Sequence, residues 1–121
     1  MKKIYALRGA VCVQNTKEDV SAQTGRLYSK LLSANALSEA DVVSIIFSIT
    51  PDINAKNPCT ALREAGFAKE TPLFAVQEAQ TEGMMNNTIR TLIHCYLEED
   101  SKPVHIYTNG AEALRPDRGS K

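Results

Sequence analysis

The chain has 121 residues, 43% of them hydrophobic, which fits one folded domain with a core of modest size and leaves little room for two. Its 14 Lys and Arg are balanced by 14 Asp and Glu, so the formal net charge is zero. That balance lacks the clustered basic excess on which nucleic-acid and anionic-membrane binding rest, so no nucleic-acid or membrane partner is expected, and an anionic ligand must be small and locally gripped.

No apolar run approaches the roughly 20 residues that cross a bilayer. Met1-Lys2-Lys3 is followed only by Ile4 to Leu7 before Arg8 intervenes, too little for a secretory leader. A cytoplasmic location is the expectation. Cys12, Cys59 and Cys95 are odd in number and unevenly spaced, which suits neither a disulfide framework nor a four-ligand zinc site; all are expected to be structural or incidental. His94 and His105 match no metal-binding spacing and read as strand histidines with ordinary hydrogen bonds.

Lys3 to Arg8 alternate as a short first strand, which puts Arg8 at a strand end beside Gly9, where a bend or close backbone approach is expected. Thr16 followed by Asp19 resembles a helix N-cap, and Val20, Leu27, Leu31 and Ala34 recur at helical spacing, predicting a helix over 17–34. The run Val42 to Ile49 is rich in β-branched residues and closed by Thr50-Pro51-Asp52, as in a buried strand. Pro58 suits the first turn of a second, short helix carrying Ala61, Leu62 and Arg63, and Gly66 suits its end. Leu73 to Val76 is a third strand running into Gln77-Glu78, which leaves the Glu78 carboxylate at a strand end, exposed to a cleft.

Asn86-Asn87 could cap a helix, but Thr88, Ile89, Thr91, Ile93 and Tyr96 favour a strand over Thr88 to Leu97. Arg90, Leu92 and His94 then share one face, and Ile89, Thr91 and Ile93 the other. Val104 to Tyr107 is a fifth strand, and Asn109-Gly110 is a turn before the tail Leu114-Arg115-Pro116-Asp117. The order βαβαβββ predicts an α+β fold, a mixed five-stranded sheet with two helices on one face, as a single domain over 1–121 with a flexible tail over 116–121. The uncovered face of the sheet needs a partner, and self-association is its simplest source, so a homo-oligomer is expected.

A nucleophile is hard to nominate: there is no GxSxG, no Gly-rich phosphate loop and no Cys with a His partner in context. Arginine remains. Arg90 interrupts an otherwise apolar strand, where a guanidinium is costly to desolvate unless it is paired or grips an anion, and Glu78 is its candidate partner. Arg8, Arg63 and Arg115 are either surface ion pairs or part of the same grip. Tyr107 is either core edge or ligand contact. The residues alone lead to a small carboxylate-bearing ligand and give no reaction.

The segments Leu7-Arg8-Gly9-Ala10, Ser48 to Ala55 with its Thr50-Pro51-Asp52, Ala61-Leu62-Arg63-Glu64, Val76-Gln77-Glu78, Ile89-Arg90, Tyr107 and Leu114-Arg115-Pro116-Asp117 together resemble the monofunctional chorismate mutases of the trimeric, β-rich (AroH-type) family. The resemblance runs from residue 4 to residue 118, and its strength lies in the order and spacing of the segments rather than in any one of them. The all-helical chorismate mutases are a different fold, against which the strand pattern argues. The resemblance implies a homotrimer with a β-rich centre (chorismate mutase II-like, a pseudo-barrel) and active sites at subunit interfaces. It implies the rearrangement of chorismate to prephenate, in phenylalanine and tyrosine biosynthesis, with no cofactor, metal or covalent intermediate. By resemblance, Arg90 and Glu78 are catalytic: Arg90 donates to the breaking ether oxygen, and Glu78 accepts from the ring hydroxyl and balances ring charge. Arg8 and Tyr107 hold the side-chain carboxylate, and the backbone of Phe74 and Ala75 lines the ring end. Val76, Gln77 and Leu114 join the substrate-binding set, and Arg63 and Arg115 draw in the dianion and close over the entrance.

Three positions depart from the family pattern: Asn57 stands where an aromatic residue is common, Thr60 where a lysine is, and Ala75 where a cysteine is. Altered affinity rather than lost chemistry is expected. Two alternatives stay open: a related trimeric enamine/imine deaminase, which leaves the Thr50-Pro51-Asp52 and Leu114 to Asp117 segments unexplained, and a non-catalytic sensor of an aromatic-pathway carboxylate.

Overall fold

A computed structural model describes residues 1–115 in the order β1 (Lys2–Cys12), α1 (Lys17–Ala34), β2 (Val42–Ile49), α2 (Pro58–Glu64), β3 (Leu73–Gln77), β4 (Thr88–Glu98) and β5 (Ile106–Thr108). Single 3-10 turns lie at Glu39–Asp41 and Ala111–Leu114. The tail expected over 116–121, Pro116 and Asp117 included, lies outside the described residues. The strands form one sheet in the order β3-β2-β4-β1-β5. β4 is antiparallel to both β1 and β2, while β2–β3 and β1–β5 are parallel, so the sheet is mixed as expected. Parallel neighbours need a long crossover, and α2 supplies the one between β2 and β3.

The helices follow their local signals. Thr16 caps α1 by accepting the Asp19 N–H at 3.0 Å, and Asn57 caps α2 by accepting the Cys59 N–H at 2.8 Å, with Pro58 in the first turn. Gly66 follows α2 at φ +92°, a conformation open to glycine at little cost. α1 packs on α2, β1 and β5, and α2 packs on β3, which places both on one face of the sheet. Under them, Leu7 and Val11 of β1, Ile45 and Phe47 of β2, and Ile89, Ile93 and Cys95 of β4 interlock with Val20, Leu27, Tyr28, Leu31 and Leu62. Each such side chain contributes about 1.5–3 kcal/mol on burial. Ala34, expected on this face, is exposed, and Thr24 and Tyr28 bury the positions between Val20 and Leu31 instead.

Two strands differ from expectation. β1 does not bend at Gly9; its ladder with β4 is continuous from Lys2↔Glu98 to Cys12↔Thr88. The other half of that expectation holds, because a Cβ on Gly9 would lie 3.0 Å from Leu31 Cδ1, 3.1 Å from Leu27 Cδ1 and 3.2 Å from the Ile106 carbonyl oxygen. Gly9 lets α1 and β5 close onto β1, and Arg8 consequently sits within a strand rather than at its end. β5 starts at Ile106 rather than Val104, because Asn35 after α1 takes both backbone groups of Val104: its Nδ2 donates to the carbonyl at 2.9 Å and its Oδ1 accepts the N–H at 2.8 Å. His105 therefore precedes the strand on which it was expected.

A β-bulge between Val42 and Ser44 sets the phase of β2. Val42 and Ile45 both face the core and Val43 is exposed, so the polar Ser44 and Ser48 fall on the opposite face with Ile46. Replacing Gly9 with alanine is expected to lower folding stability by about 1–3 kcal/mol, as overpacking does. The measurement is the urea midpoint of Gly9→Ala; a midpoint equal to wild type would show that α1 and β5 can retreat without cost.

Candidate active site

The face of the sheet away from the helices carries the even-numbered residues of β1 and β4 and, past the bulge, those of β2 from Ser44 on, and the pairing lines them up in rows. Ser48 is opposite Arg90, Arg90 is opposite Ala10, and Ala10 is opposite Tyr107. In the next row Ile46 is opposite Leu92, and Leu92 is opposite Arg8. Ala10 is fully buried beneath Tyr107 and Ala111, and this small cluster holds Leu114 against the open face. The 3-10 turn Ala111–Leu114 thereby forms a wall beside the two rows.

Between the rows and that wall lies a cavity of about 340 Å³, lined on one side by Arg8, Ser48, Arg90, Tyr107, Leu114 and Arg115. Five of these were expected from the sequence; Ser48 was not. Arg90 Nε lies 3.2 Å from Glu78 Oε1, with the Arg90 side chain 48% exposed and that of Glu78 19% exposed. The desolvation cost foreseen for an arginine in this strand is thus relieved by a carboxylate and by partial access to solvent. Glu78 stands one residue beyond β3, where its N–H donates to the Ile49 carbonyl at 2.8 Å and extends the β2–β3 ladder. Arg8 is held by its own backbone, whose N–H donates to His105 Nδ1 at 2.9 Å. His94, on β4, meets Ser44 Oγ at 3.1 Å, so both histidines have the ordinary hydrogen bonds expected of them.

Thr50-Pro51-Asp52 acts one step back from the cavity. The Thr50 hydroxyl donates to Asp52 Oδ1 at 2.5 Å and accepts the Thr88 N–H at 3.0 Å, while the Asp52 carboxylate accepts the Asn87 N–H at 3.0 Å. The segment staples the end of β2 to the start of β4, which sets Ser48 and Arg90 side by side. Its residues do not line the cavity.

Glu78 reaches the cavity only through its contact with Arg90 and is not among the residues that line it, and the structure does not bring the remaining expected residues there. Phe74, Ala75, Val76 and Gln77 lie on β3, the edge strand, with Phe74 and Val76 exposed, and Arg63 is an exposed residue of α2. Asn57 is occupied as the cap of α2, and Thr60 is exposed on that helix. Among the described residues no three His, Cys, Asp or Glu side chains converge as a metal site would require. All three cysteines are free, and burial pushes the thiols of Cys59 and Cys95 above their usual range.

Ser48 left a faint mark in the sequence. It is one of two serines in a strand of Val, Ile and Phe, both on the face that the helices leave uncovered. Nothing in the sequence distinguishes it from Ser44, since only the staple and the position of Glu78 bring it to the cavity.

A family model described as chorismate mutase type I matches residues 4–118. The chain belongs to the type I chorismate mutase family. It is 30% identical over 116 residues to chorismate mutase AroH of Bacillus subtilis (strain 168), covering 94% of this chain and 91% of that one. It is 31% identical over 117 residues to chorismate mutase AroH of Thermus thermophilus, covering 94% and 95% respectively. A solved chorismate mutase from Clostridium thermocellum superposes with a TM-score of 0.83 at 34% identity, covering 91% of this chain and 99% of that one. The expected α+β architecture stands, whereas the II-like label does not suit a type I family member. The deaminase and sensor readings are not favoured by these matches.

Substituting Asp52 tests the staple. Asp52→Ala is expected to lose about 1–2 kcal/mol of stability, in line with hydrogen bonds to a charged group that is partly solvated. Chemical denaturation reads this directly, and an unchanged midpoint would mean that β2 and β4 hold their register without it.

Proposed function

We propose that the chain catalyses the [3,3] rearrangement of chorismate to prephenate, as a cytoplasmic homotrimer with its active sites at subunit interfaces. The convergence of Arg8, Arg90, Tyr107, Leu114 and Arg115 on one cavity, with Glu78 paired to Arg90, carries this reading. Family membership supports it. One ether bond breaks and one carbon–carbon bond forms within a single molecule, so no group has to be supplied from outside. The absence of a nucleophile motif in the sequence is consistent with that chemistry.

The cavity's chemistry matches the charges involved. Chorismate is a dianion, and its reactive conformer must be held with the enolpyruvyl side chain folded over the ring, a task of positioning. Arg8 and Tyr107 hold the side-chain carboxylate. As the ether bond breaks, negative charge gathers on its oxygen, where Arg90 donates; a guanidinium keeps its charge when desolvated. Glu78 accepts from the ring hydroxyl and balances charge on the ring. A millionfold acceleration requires about 8 kcal/mol of barrier reduction. One preorganised donor gives about 3–4 kcal/mol, so positioning has to contribute a similar share.

A second copy completes the site. Ile4, Phe74, Val76 and Tyr96 are exposed on the open face or its β3 edge, an apolar surface that a neighbouring copy would cover. Phe74, Ala75, Val76, Gln77 and Arg63 lie outside the cavity of their own chain; in the trimer they line and close the neighbour's. The free thiols of Cys12, Cys59 and Cys95 fit a reducing compartment, and no helix among the described residues is long and apolar enough to cross a membrane.

Two measurements test this reading. Purified protein is expected to consume chorismate, followed by its ultraviolet absorbance near neutral pH, and Arg90→Lys to lower turnover by about 100-fold or more, the worth of one donor to developing charge. Near-normal turnover in Arg90→Lys would remove Arg90 from its role. Sedimentation at micromolar concentration is expected to give a trimer of the 13.3 kDa chain; a monodisperse monomer would rule out shared sites.

A further inference from the structure

The Arg90–Glu78 pair does not take the geometry that these two groups favour. An arginine and a carboxylate left to themselves tend to meet as a two-pronged fork with two parallel N–H···O bonds. Here the close contact is Nε to Oε1 at 3.2 Å, and no hydrogen bond joins either terminal nitrogen of Arg90 to Glu78. A pair with its arginine half exposed contributes only about 0–1 kcal/mol to stability, so its geometry is not explained by folding. The same Oε1 is engaged by a second donor: the Ser48 hydroxyl, at 2.9 Å. Ser48 is directly opposite Arg90 across the β2–β4 ladder and lines the cavity.

We propose that Ser48 is a positioning residue that holds the Glu78 carboxylate in a one-point contact with Arg90, keeping the terminal nitrogens of Arg90 available to the reacting ligand. The hydroxyl occupies a lone pair of Oε1 and fixes the rotation of the carboxylate. Without it, Glu78 is free to turn and accept from Nε and a terminal nitrogen together. That fork engages a donor needed at the ether oxygen and turns the carboxylate away from the ring hydroxyl. The ligand's carboxylate, gripped by Arg8 and Tyr107, is unaffected. The loss therefore falls on turnover and spares binding. Ser44, two rows away and bonded to His94, has no such connection to the pair.

The inference rests on the chorismate mutase reading and on the roles given to Arg90 and Glu78. Its test uses the isosteric pair Ser48→Val and Ser48→Thr, which differ in the hydroxyl alone; both are β-branched and suited to a strand. In Ser48→Val, kcat is expected to fall roughly 10- to 100-fold, the range for one hydrogen bond to a charged group. KM is expected to stay within about threefold of wild type, the signature of a contact that matters in the transition state. Ser48→Thr is expected to recover most of the lost turnover. In a Glu78→Ala background, Ser48→Val is expected to add less than about a twofold loss, because Ser48 acts through Glu78. A crystal structure of Ser48→Val is expected to show the two-pronged fork. Wild-type turnover in Ser48→Val, a loss confined to KM, a threonine variant no better than valine, or an unchanged one-point contact in the crystal would each overturn the proposal. If the wild-type protein itself consumed no chorismate, the functional reading would have failed instead, and the crystal structure would still decide whether Ser48 holds the pair open.

Discussion

The whole arrangement depends on the two-residue period of three adjacent strands. β1, β2 and β4 each send alternate side chains under the helices, and the apolar set on that side, from Leu7 to Ile93, fixes which residues emerge on the other. A slip of one residue in β1 or β4 would drive Arg8 or Arg90 into the core and expose Leu7 or Ile89. Burying an unpaired guanidinium costs several kcal/mol, and exposing each of those aliphatic side chains costs about 1.5–3 kcal/mol more. The phase of the sheet is thus set by the core, and the cavity takes its residues as a consequence. The bulge at Val43 belongs to the same constraint: it turns the run Val42 to Ile49 so that Val42 and Ile45 both go inward while Ser48 reaches the cavity row.

The cavity follows from rows of this open face combined with a small residue at the right place. Ala10 lies between Arg90 and Tyr107, and its lack of bulk lets Tyr107 and the turn at Ala111 fold down against the sheet. Cations enter from β1, from β4 and from the residue after the 3-10 turn, and the carboxylate that meets Arg90 stands just beyond β3. A formal net charge of zero is compatible with a local excess of arginine, because no acidic residue among the described ones lines the cavity and Glu78 only borders it through Arg90. Anion recognition here is a property of one sheet face, invisible in the average.

Much of the fold was legible because its signals are local. Thr16 with Asp19, Pro58, the β-branched run before Thr50 and the alternation around Arg90 each reflect hydrogen bonding or side-chain direction within a few residues. The features that differ from the sequence expectation involve distant partners. The length of β1 depends on Leu27, Leu31 and Ile106 leaving room for Gly9 and no more. The start of β5 depends on an Asn35 side chain that holds Val104, 69 residues further along the chain. The role of Thr50-Pro51-Asp52 as a staple between β2 and β4 depends on Asn87 and Thr88, so the segment could be matched to a family from sequence, but its work could not be read there.

The sequence by itself determined the order of elements, the two faces of β4, the family resemblance and the candidate residues Arg8, Glu78, Arg90 and Tyr107. The elements follow from residue type and spacing within one or two turns of chain, and the resemblance from the order of segments along it. Tertiary structure alone decided which of those residues share a cavity, that Arg63 and the β3 segment Phe74 to Gln77 do not, and that Ser48 bonds the carboxylate paired with Arg90. The physical reason is that strand order and register are set by burial summed over the whole sheet. No single segment carries that sum, and neighbours such as Ser48 and Arg90, 42 positions apart in the chain, meet only once it has been satisfied.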